Sequence, residues 1–237
     1  MAKSLDFNMN DLIDIGKQYP SSKNKFGFIQ IYKKYFSDFK NKKFNLLEIG
    51  IDKGDSLRIW RDFFPNANIC GLDIDKKEFK INGVEFFFGD QSDKNFLKLI
   101  TDKYKTFDII IDDGSHVSKH IISSFEYLFS YLNNDGLYVI EDLQTSYIPR
   151  YGGSRIRLNK KNTSMNFFKK LSDSVNYEHY NRPFYKKNKF DGMVNSVNFY
   201  QNIIFIRKGI TKKYYYTKNV KNSFSEIIKG FLAKFFD

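Results

Sequence analysis

The sequence predicts an α/β fold built on a doubly wound, mostly parallel sheet of seven strands. Between residues 41 and 150, short and nearly continuous apolar runs alternate with longer amphipathic segments. That alternation is typical of parallel strands covered by helices on both faces. Two β-rich runs follow near residue 200 and predict an antiparallel pair that closes the sheet. Helical spacing of apolar residues before the first strand predicts additional N-terminal helices.

The elements follow one another in a regular order. The first forty residues are predicted to be helical because of the apolar spacing in MNDLIDIGKQY and FGFIQIYKKYF. The next strands are predicted at FNLLEIG, NICGLDI, VEFFFGD, FDIIID and GLYVIED, and the helices between them at DSLRIWRDFF, SDKNFLKLITDKY and VSKHIISSFEYLFSYL. We therefore expect a helical segment over residues 1–40 and the sheet domain over residues 41–210.

The pattern changes after residue 150. The polar stretch RYGGSRIRLNKKNTSM is predicted to be a loop. The stretch VNSVNFYQNIIFIRKG is predicted to hold the antiparallel pair, with about four residues between its two strands. An amphipathic helix, NSFSEIIKGFLAKFF, is predicted within a C-terminal extension over residues 211–237. Its apolar face is expected to pack on the domain or on a second copy of the chain, so a homo-oligomer is one alternative.

Composition limits the class of protein. The chain has 237 residues, of which 41% are apolar, which suffices for one α/β domain with a core. The single cysteine, Cys70, excludes an internal disulfide framework and a cysteine-rich zinc site. No long uncharged apolar run predicts a membrane span, and the first residues do not resemble a signal peptide, so we expect a cytoplasmic protein.

The net charge of +12 admits three interpretations: a general surface bias, an anionic substrate or a nucleic acid partner. The first two are favoured here, and we expect no nucleic acid partner.

The first strand runs into a glycine loop that predicts a cofactor site. The loop EIGIDKGDS supplies Glu48, Gly50, Gly54 and Ser56. Its glycines allow close approach of a ligand, but their spacing is not that of dinucleotide or phosphate loops. A carboxylate just ahead of the glycines would repel a pyrophosphate and suits a cationic ligand. The loop therefore favours a cofactor that carries an ammonium and a sulfonium.

The ends of the next strands complete this predicted cofactor site. Asp73 lies 23 residues after Gly50, close to the usual interval for a carboxylate that binds ribose hydroxyls. Asp90 and Gln91, at the end of the third strand, are predicted to contact an adenine, and Asp112 joins them from the fourth. Each residue alone could be a cap or turn residue, but together they predict S-adenosylmethionine as cofactor.

Acidic residues at the ends of the fourth and fifth strands predict a metal site. Asp112 and Asp113 close one strand, and Glu141 and Asp142 close its neighbour. Carboxylates crowded together without a cation would be costly, and Mg²⁺ or another hard divalent cation resolves this. We predict that Asp113, Glu141 and Asp142 hold the metal. Because adjacent strand residues face opposite ways, the strand is expected to end near residue 140. Helix capping is the alternative role for one of the acids.

His116 follows Asp113 by three positions and is predicted to be the general base. A metal nearby would lower the pKa of an acceptor hydroxyl, and the imidazole would take its proton. The alternative is a histidine that only hydrogen-bonds the backbone at a helix start. His120 is expected to support or pack, and His179 is assigned no role.

These motifs resemble a known family. LLEIGIDKGDSL, GLDID, DIIIDDGSH and YVIEDLQTSYIPRYGG are similar to the metal-dependent O-methyltransferases of macrolide sugar tailoring, in the mycinamicin and tylosin pathways, and to the cephalosporin-hydroxylase-like family. The resemblance covers roughly residues 20–208. It implies a class I, Rossmann-like methyltransferase fold with S-adenosylmethionine as donor. It also implies Mg²⁺ on Asp113, Glu141 and Asp142, and His116 as base with Asp113 beside it.

The same resemblance concerns the acceptor. It implies that TSYIPRYGG covers the acceptor, with Tyr147 and Tyr151 as substrate contacts. The chain departs from the family at Ile148, where the relatives have an aromatic residue, so the acceptor pocket differs. Near the N-terminus, SSKNKFG follows an Asp-Lys motif of the family only loosely, and Lys23 is expected to reach the cofactor.

The expected reaction is methyl transfer to an oxygen of a sugar or of a sugar-linked precursor, such as a glycoside or a polysaccharide building block. The basic charge makes a nucleotide-linked, anionic acceptor plausible. Transfer to a phosphoryl or phosphoramidate oxygen is the close alternative. An RNA methyltransferase is disfavoured because the acid cluster repels a phosphate chain. A non-catalytic cofactor-binding subunit is the rival from another class.

Overall fold

The computed structural model describes residues 11–177 and 186–210, and these contain a seven-stranded sheet. Its strands are β1 (Asn45–Ile49), β2 (Asn68–Asp73), β3 (Val84–Phe88), β4 (Phe107–Asp112), β5 (Leu132–Ile140), β6 (Val194–Tyr200) and β7 (Ile203–Lys208). They lie in the order β3-β2-β1-β4-β5-β7-β6. Strands β1 to β5 are parallel, and β7 runs antiparallel between β5 and β6. The predicted doubly wound sheet with an antiparallel end is confirmed.

Helices cover both faces of this sheet. They are α1 (Leu12–Gly16), α2 (Ser22–Lys25), α3 (Phe28–Phe36), α4 (Asp55–Phe63), α5 (Lys94–Tyr104), α6 (Ser118–Leu128) and α7 (Ser164–Val175). Helices α1, α3 and α4 share one apolar cluster with strand residues such as Leu46, Ile111 and Val139. Helices α5, α6 and α7 share the other with alternate residues such as Leu47 and Ile110. Both faces of the central strands are buried because these strands are apolar on both sides.

Two local predictions need correction. Helix α7 begins inside the stretch that was predicted to be a loop, because the side chain of Thr163 accepts a hydrogen bond from the Asn166 amide and caps it. The two strands of the antiparallel pair are joined by only two residues, Gln201 and Asn202, instead of about four. Asn202 has a φ of +64°, a left-handed conformation that a tight hairpin requires.

Strand β5 ends at Ile140, as predicted, so Glu141 and Asp142 belong to the loop that follows. The predicted C-terminal helix and His179 lie outside the described residues. Within the described ranges, no helix has the length and apolar character needed to cross a membrane.

Candidate active site at the carboxyl edge of the sheet

A cavity of about 720 Å³ lies beyond the carboxyl ends of the parallel strands. Strand order reverses between β1 and β4, and open α/β sheets bind ligands at such a point. The volume is in the range of small-molecule sites. The cavity is lined mainly by the segment before α3 and by the residues that follow β1 to β5. The lining residues include Lys23, Gly50, Ser56, Asp73, Asp90, Gln91, Asp113, His116, His120 and Asp142.

The glycine loop after β1 packs tightly against the loop after β4. Gly50 has a φ of +93°, and a Cβ added there would lie 2.1 Å from the carbonyl oxygen of Asp113. Gly54 has a φ of +79°, and its added Cβ would lie 2.6 Å from the ring of Phe79. Both positions therefore require glycine, for conformation and for space. The contact at Gly50 brings the predicted cofactor loop against the acidic loop.

Glu48 lies behind this cavity and is not one of the residues that line it. Its Oε2 accepts hydrogen bonds from Ser56 Oγ at 3.0 Å and from Trp60 Nε1 at 3.1 Å. Its Oε1 accepts no hydrogen bond from residues 11–177 or 186–210, but it lies 3.3 Å from the ammonium nitrogen of Lys23. Complete burial raises the pKa of Glu48. In this arrangement Glu48 supports Ser56 and Lys23, and these two residues do line the cavity.

Asp73 lines the cavity at the end of β2. Its Oδ2 accepts hydrogen bonds from the backbone amides of Ile51 at 2.9 Å and Asp52 at 3.2 Å, and it lies 3.1 Å from Lys77 Nζ. Partial burial works to raise its pKa, but the amides of Asp75, Ile51 and Asp52 and the Lys77 ammonium outweigh it, so the pKa is lowered. Asp73 is therefore an ionised acceptor that also shapes the glycine loop.

Of the residues predicted near the adenine, Asp90 and Gln91 line the cavity, whereas Asp112 is buried behind it. Asp90 lies on the cavity wall, and its Oδ1 accepts a hydrogen bond from the Ser92 amide at 2.7 Å. Gln91 also lines the cavity, but its amide group joins two strand ends: Nε2 donates to Asp112 at 3.0 Å and Oε1 accepts from the Ser115 amide at 2.7 Å. Asp112 is 1% exposed and is not among the lining residues, and its burial raises its pKa.

Asp113, His116 and Asp142 form a candidate metal centre. One potential ligand atom from each lies within 4.8 Å of the others. His116 Nε2 is 3.6 Å from Asp142 Oδ2. Carboxylates and an imidazole suit a divalent cation. Of the three predicted metal ligands, the structure thus brings Asp113 and Asp142 together in this group, and Glu141 is not part of it.

Glu141 is held instead by a buried lysine, Lys23, which was predicted only to reach the cofactor. Lys23 is 1% exposed, and its Nζ donates to Glu141 Oε1 at 2.6 Å and to Asp113 Oδ2 at 2.7 Å. The Tyr32 hydroxyl also donates to Glu141 Oε1. Burial works to lower the pKa of Lys23, but the charges of Asp113, Glu141 and Glu48 raise it well above its ordinary value. Lys23 is therefore a permanent cation within the acid cluster.

The carboxylates nevertheless fit a divalent cation. The hydrogen bonds on Asp113, Glu141 and Asp142 use one oxygen each, namely Oδ2, Oε1 and Oδ1. Among the described residues, the other oxygen of each accepts no hydrogen bond, so it remains for a ligand. Burial, followed by the charge of Asp113, raises the pKa of Glu141 to about 8. A carboxyl that resists ionisation in this way would gain from a further positive charge nearby.

His116 is placed next to one of the two predicted substrate tyrosines. Its ring meets the Tyr151 ring edge-on, with centroids 6.4 Å apart. Tyr147 lies in the 3₁₀ turn Leu143–Tyr147, is partly exposed and is not among the cavity-lining residues. His120 does line the cavity, and its Nδ1 is 3.1 Å from Ser115 Oγ.

Comparisons with known proteins agree with this architecture. No protein-family model matches the chain. The mycinamicin VI 2''-O-methyltransferase of Micromonospora griseorubida is 36% identical over 212 residues, which are 84% of this chain and 53% of that protein. The demethylmacrocin O-methyltransferase of Streptomyces fradiae is 36% identical over 195 residues, which are 78% of this chain and 49% of that protein. This chain thus spans about half the length of these relatives.

A solved structure of the MycE methyltransferase from the mycinamycin biosynthetic pathway, in complex with Mg and SAH, superposes with a TM-score of 0.84 at 33% identity. The match covers 93% of this chain and 60% of MycE. Fold and sequence together place the chain among the class I S-adenosylmethionine-dependent methyltransferases. Within that class it is a relative of the sugar O-methyltransferases named for mycinamicin VI, demethylmacrocin and rhamnosyl tetracenomycin C.

Proposed function

We propose that the chain transfers a methyl group from S-adenosylmethionine to a hydroxyl oxygen of a sugar, with Mg²⁺ or another divalent cation. The proposal rests on one observation. Asp113, His116 and Asp142, which form the candidate metal centre, also line the cavity proposed for the cofactor, at the carboxyl edge of the sheet. The relatives support it, since they are named O-methyltransferases of glycosides and MycE was solved with Mg and SAH. Because the donor is a cytoplasmic metabolite, we place the reaction in the cytoplasm.

The donor would lie in the cavity between the glycine loop and the end of β3. Asp73 is the acceptor for the ribose hydroxyls, since its carboxylate is ionised and lies on the wall. Gly50 and Gly54 leave room for the amino acid part of the donor, and Asp90 lies on the wall where an adenine amino group would donate. Positioning matters because the sulfonium is already a good leaving group.

Asp113, Glu141 and Asp142 would hold the cation with the oxygens that accept no hydrogen bonds. When bound, the cation supplies Lewis acidity that lowers the pKa of the acceptor hydroxyl. His116 Nε2 takes the hydroxyl proton as the oxygen attacks the methyl carbon. The carbon–sulfur bond breaks, the carbon–oxygen bond forms, and the proton remains on the imidazole. Asp142 Oδ2 lies 3.6 Å from that nitrogen, which places the imidazole beside the proposed cation site, where the acceptor hydroxyl would be bound.

The acceptor is proposed to be a sugar that also carries negative charge, such as a nucleotide-linked sugar or a polysaccharide precursor. The support is the basic segment, defined as residues 150–161, which holds five Lys or Arg residues and no acid. It begins beside the base: the guanidinium of Arg150 stacks 4.7 Å from the Tyr151 ring centroid and donates to the Tyr151 hydroxyl at 2.9 Å.

The other cations of the basic segment, Arg155, Arg157, Lys160 and Lys161, are exposed. Its cations form no ion pair within the described part of the chain, and Ile156 and Leu158 are 93% and 61% exposed. Backbone hydrogen bonds from Gly153 to Ile148 and from Ser154 to Ser146 tie it to the loop that follows the acids. Cations without an acidic partner among the described residues, on a segment whose backbone is tied to the loop after β5, favour an anionic group on the acceptor.

Methyl transfer to a phosphoryl oxygen is not favoured, because the relatives are named for sugar hydroxyls. The test is an assay of S-adenosylhomocysteine formation and mass gain with neutral glycosides and nucleotide-linked sugars. Turnover should occur with a sugar acceptor, stop in EDTA and return with Mg²⁺, while donor binding persists in EDTA. Full turnover in chelator would show that the acid cluster is structural, and no methyl transfer to any sugar would refute the acceptor class.

A further inference from the structure

Thr145 joins the two loops that carry the candidate metal ligands. Its Oγ1 lies 3.0 Å from the carbonyl oxygen of His116 and 2.8 Å from the carbonyl oxygen of Asp142. The residue is 5% exposed and is not among the residues that line the cavity. Thr145 therefore contacts neither a bound donor in that cavity nor the reacting atoms, and any effect on the reaction must act through His116 and Asp142.

The two residues that Thr145 joins share an uncommon backbone conformation. His116 has a φ of +57° and Asp142 a φ of +53°, both in the left-handed region. A residue with a Cβ pays roughly 1–2 kcal/mol to adopt that conformation, so surrounding contacts must hold it. In both cases the conformation turns the side chain toward the candidate metal centre, where the two approach to 3.6 Å.

The hydroxyl has one proton, which the two carbonyl oxygens share, and they depend on it to different degrees. The carbonyl of Asp142 also accepts a hydrogen bond from the Thr145 amide at 3.0 Å. For the carbonyl of His116, the Thr145 hydroxyl is the donor found among residues 11–177 and 186–210. Because a carbonyl turns with the backbone of its own residue, the donor that fixes it also fixes the conformation of His116. Without the hydroxyl, the His116 carbonyl would have no donor among these residues, which should lower kcat, and the Asp142 carbonyl would keep only the amide, which should weaken metal binding.

We propose that Thr145 is a positioning residue. It fixes the backbones of His116 and Asp142 relative to each other, and so keeps their side chains together at the candidate metal centre. This role rests on the proposed function, since it supposes that the cluster binds a divalent cation. When a group that hydrogen-bonds to a metal ligand and orients it is removed, metal affinity or activity typically falls by about 10–100-fold. The hydroxyl of Thr145 should have an effect of that size, although it touches neither metal nor substrate.

The test compares Thr145→Val, which keeps the shape and loses the hydroxyl, with Thr145→Ser, which keeps the hydroxyl. Mn²⁺ binding to the full chain is measured by calorimetry, and S-adenosylhomocysteine binding is measured alongside. Thr145→Val should raise the Kd for Mn²⁺ about 10–100-fold and leave the Kd for S-adenosylhomocysteine unchanged. Thr145→Ser should bind Mn²⁺ nearly as the parent does. In turnover, Thr145→Val should lower kcat at an unchanged donor KM.

A matched control is Thr101→Val on α5, which also removes the hydroxyl of a buried threonine but lies away from the cluster. It should leave the Kd for Mn²⁺ unchanged. If Thr145→Val does not fold, Thr145→Ala is compared with Thr145→Ser in its place. A parent chain that binds Mn²⁺ with a Thr145→Val variant that binds equally well would overturn the role of Thr145 alone. A parent chain that binds no Mn²⁺ would overturn the metal site and this role together.

Discussion

The ammonium nitrogen of Lys23 lies 2.6 Å from Oε1 of Glu141, in the interior of the protein. The same nitrogen is 2.7 Å from Asp113 and 3.3 Å from Glu48, so one cation serves three carboxylates. Charges this deeply buried are tolerated only when they are paired. Lys23 therefore lets the acid cluster fold before any metal binds, and it connects α2 to the ends of β1, β4 and β5.

Replacing Lys23 tests this account of the cluster. Lys23→Met keeps the length of the side chain and removes the charge, which leaves the three carboxylates without their cation. We expect the metal-free protein to lose about 3–5 kcal/mol of stability, the usual cost of removing one partner of a buried ion pair. Urea denaturation in EDTA above pH 8, where Glu141 is ionised, measures this loss. Mg²⁺ should restore more stability to the variant than it adds to the parent.

Lys25→Met serves as the matched control, since Lys25 lines the same cavity but is exposed. Its stability in EDTA should equal that of the parent. A Lys23→Met variant as stable as the parent in EDTA would mean that the acids are neutralised by protons instead of by Lys23.

Glu141 predicts a pH dependence of stability in the metal-free protein. Its pKa is raised from 4.5 to about 8 in the folded chain. Below pH 4.5 the carboxyl is protonated in both states and its contribution to stability is fully present. Between these two pKa values the folded state keeps a proton that the unfolded state has released. Stability is therefore lost as pH rises toward 8, by at most about 1.4 kcal/mol per pH unit.

Glu141→Gln removes the titrating group and should flatten this dependence between pH 5 and pH 8. The measurement is chemical denaturation in EDTA at several pH values. Glu126→Gln on α6, at a partly exposed ion pair with Lys189, should keep the parent slope. An unchanged slope in Glu141→Gln would assign the pH dependence to another group of the cluster.

The fold was predictable from the sequence because each central strand is a short apolar run bounded by polar residues. FDIIID, for example, was predicted as a strand and forms β4 with the same bounds. Helix α7 was missed because the polar residues before it dominate the stretch, although Thr163 is a recognisable N-cap. The hairpin loop was overestimated because the left-handed conformation of Asn202 cannot be read from composition alone.

The candidate site was predictable only to the level of strand ends. Asp113 and Asp142 meet as expected because parallel neighbouring strands end at one edge. The side-chain directions were not predictable: whether Glu141 faces Asp142 or Lys23 depends on a loop with a left-handed residue. Lys23 itself is 90 residues from Asp113 along the chain, and no local pattern indicates that they pair. Its one sequence signal was the loose match to a family motif.

Asp73 should prove important for donor binding. Asp73→Ala should weaken S-adenosylhomocysteine binding by roughly 1–3 kcal/mol, because the ribose hydroxyls lose a charged acceptor. The loss has a second source, since Asp73 also accepts hydrogen bonds from the Ile51 and Asp52 amides of the glycine loop. Asp73→Asn keeps one carbonyl acceptor and should fall between the parent and Asp73→Ala in calorimetry.

Asp75→Ala is the control for Asp73, since Asp75 is a neighbouring exposed acid whose side chain lines no part of the cavity. It should bind the donor product as the parent does. A structure with S-adenosylhomocysteine bound, in which Asp73 lies beyond hydrogen-bond distance of the ribose, would contradict the assignment even if the affinity falls.

His116 provides the sharpest test of the chemistry. If its Nε2 takes the acceptor proton, His116→Gln should lower turnover by about 10²–10⁴, the usual contribution of a positioned base, while donor binding stays intact. His120→Gln is the matched control, because His120 lines the same cavity but its Nδ1 faces Ser115 instead of the acid cluster. This variant should lose much less turnover than His116→Gln. Mn²⁺ binding separates the two roles that the geometry allows for His116, since one ring nitrogen lies within 4.8 Å of a carboxylate oxygen of Asp113 and of Asp142. A variant that loses turnover but keeps Mn²⁺ supports the base. A variant that loses Mn²⁺ as well makes His116 a ligand, and one that keeps near-parent turnover shows that the acceptor oxygen loses its proton without an imidazole.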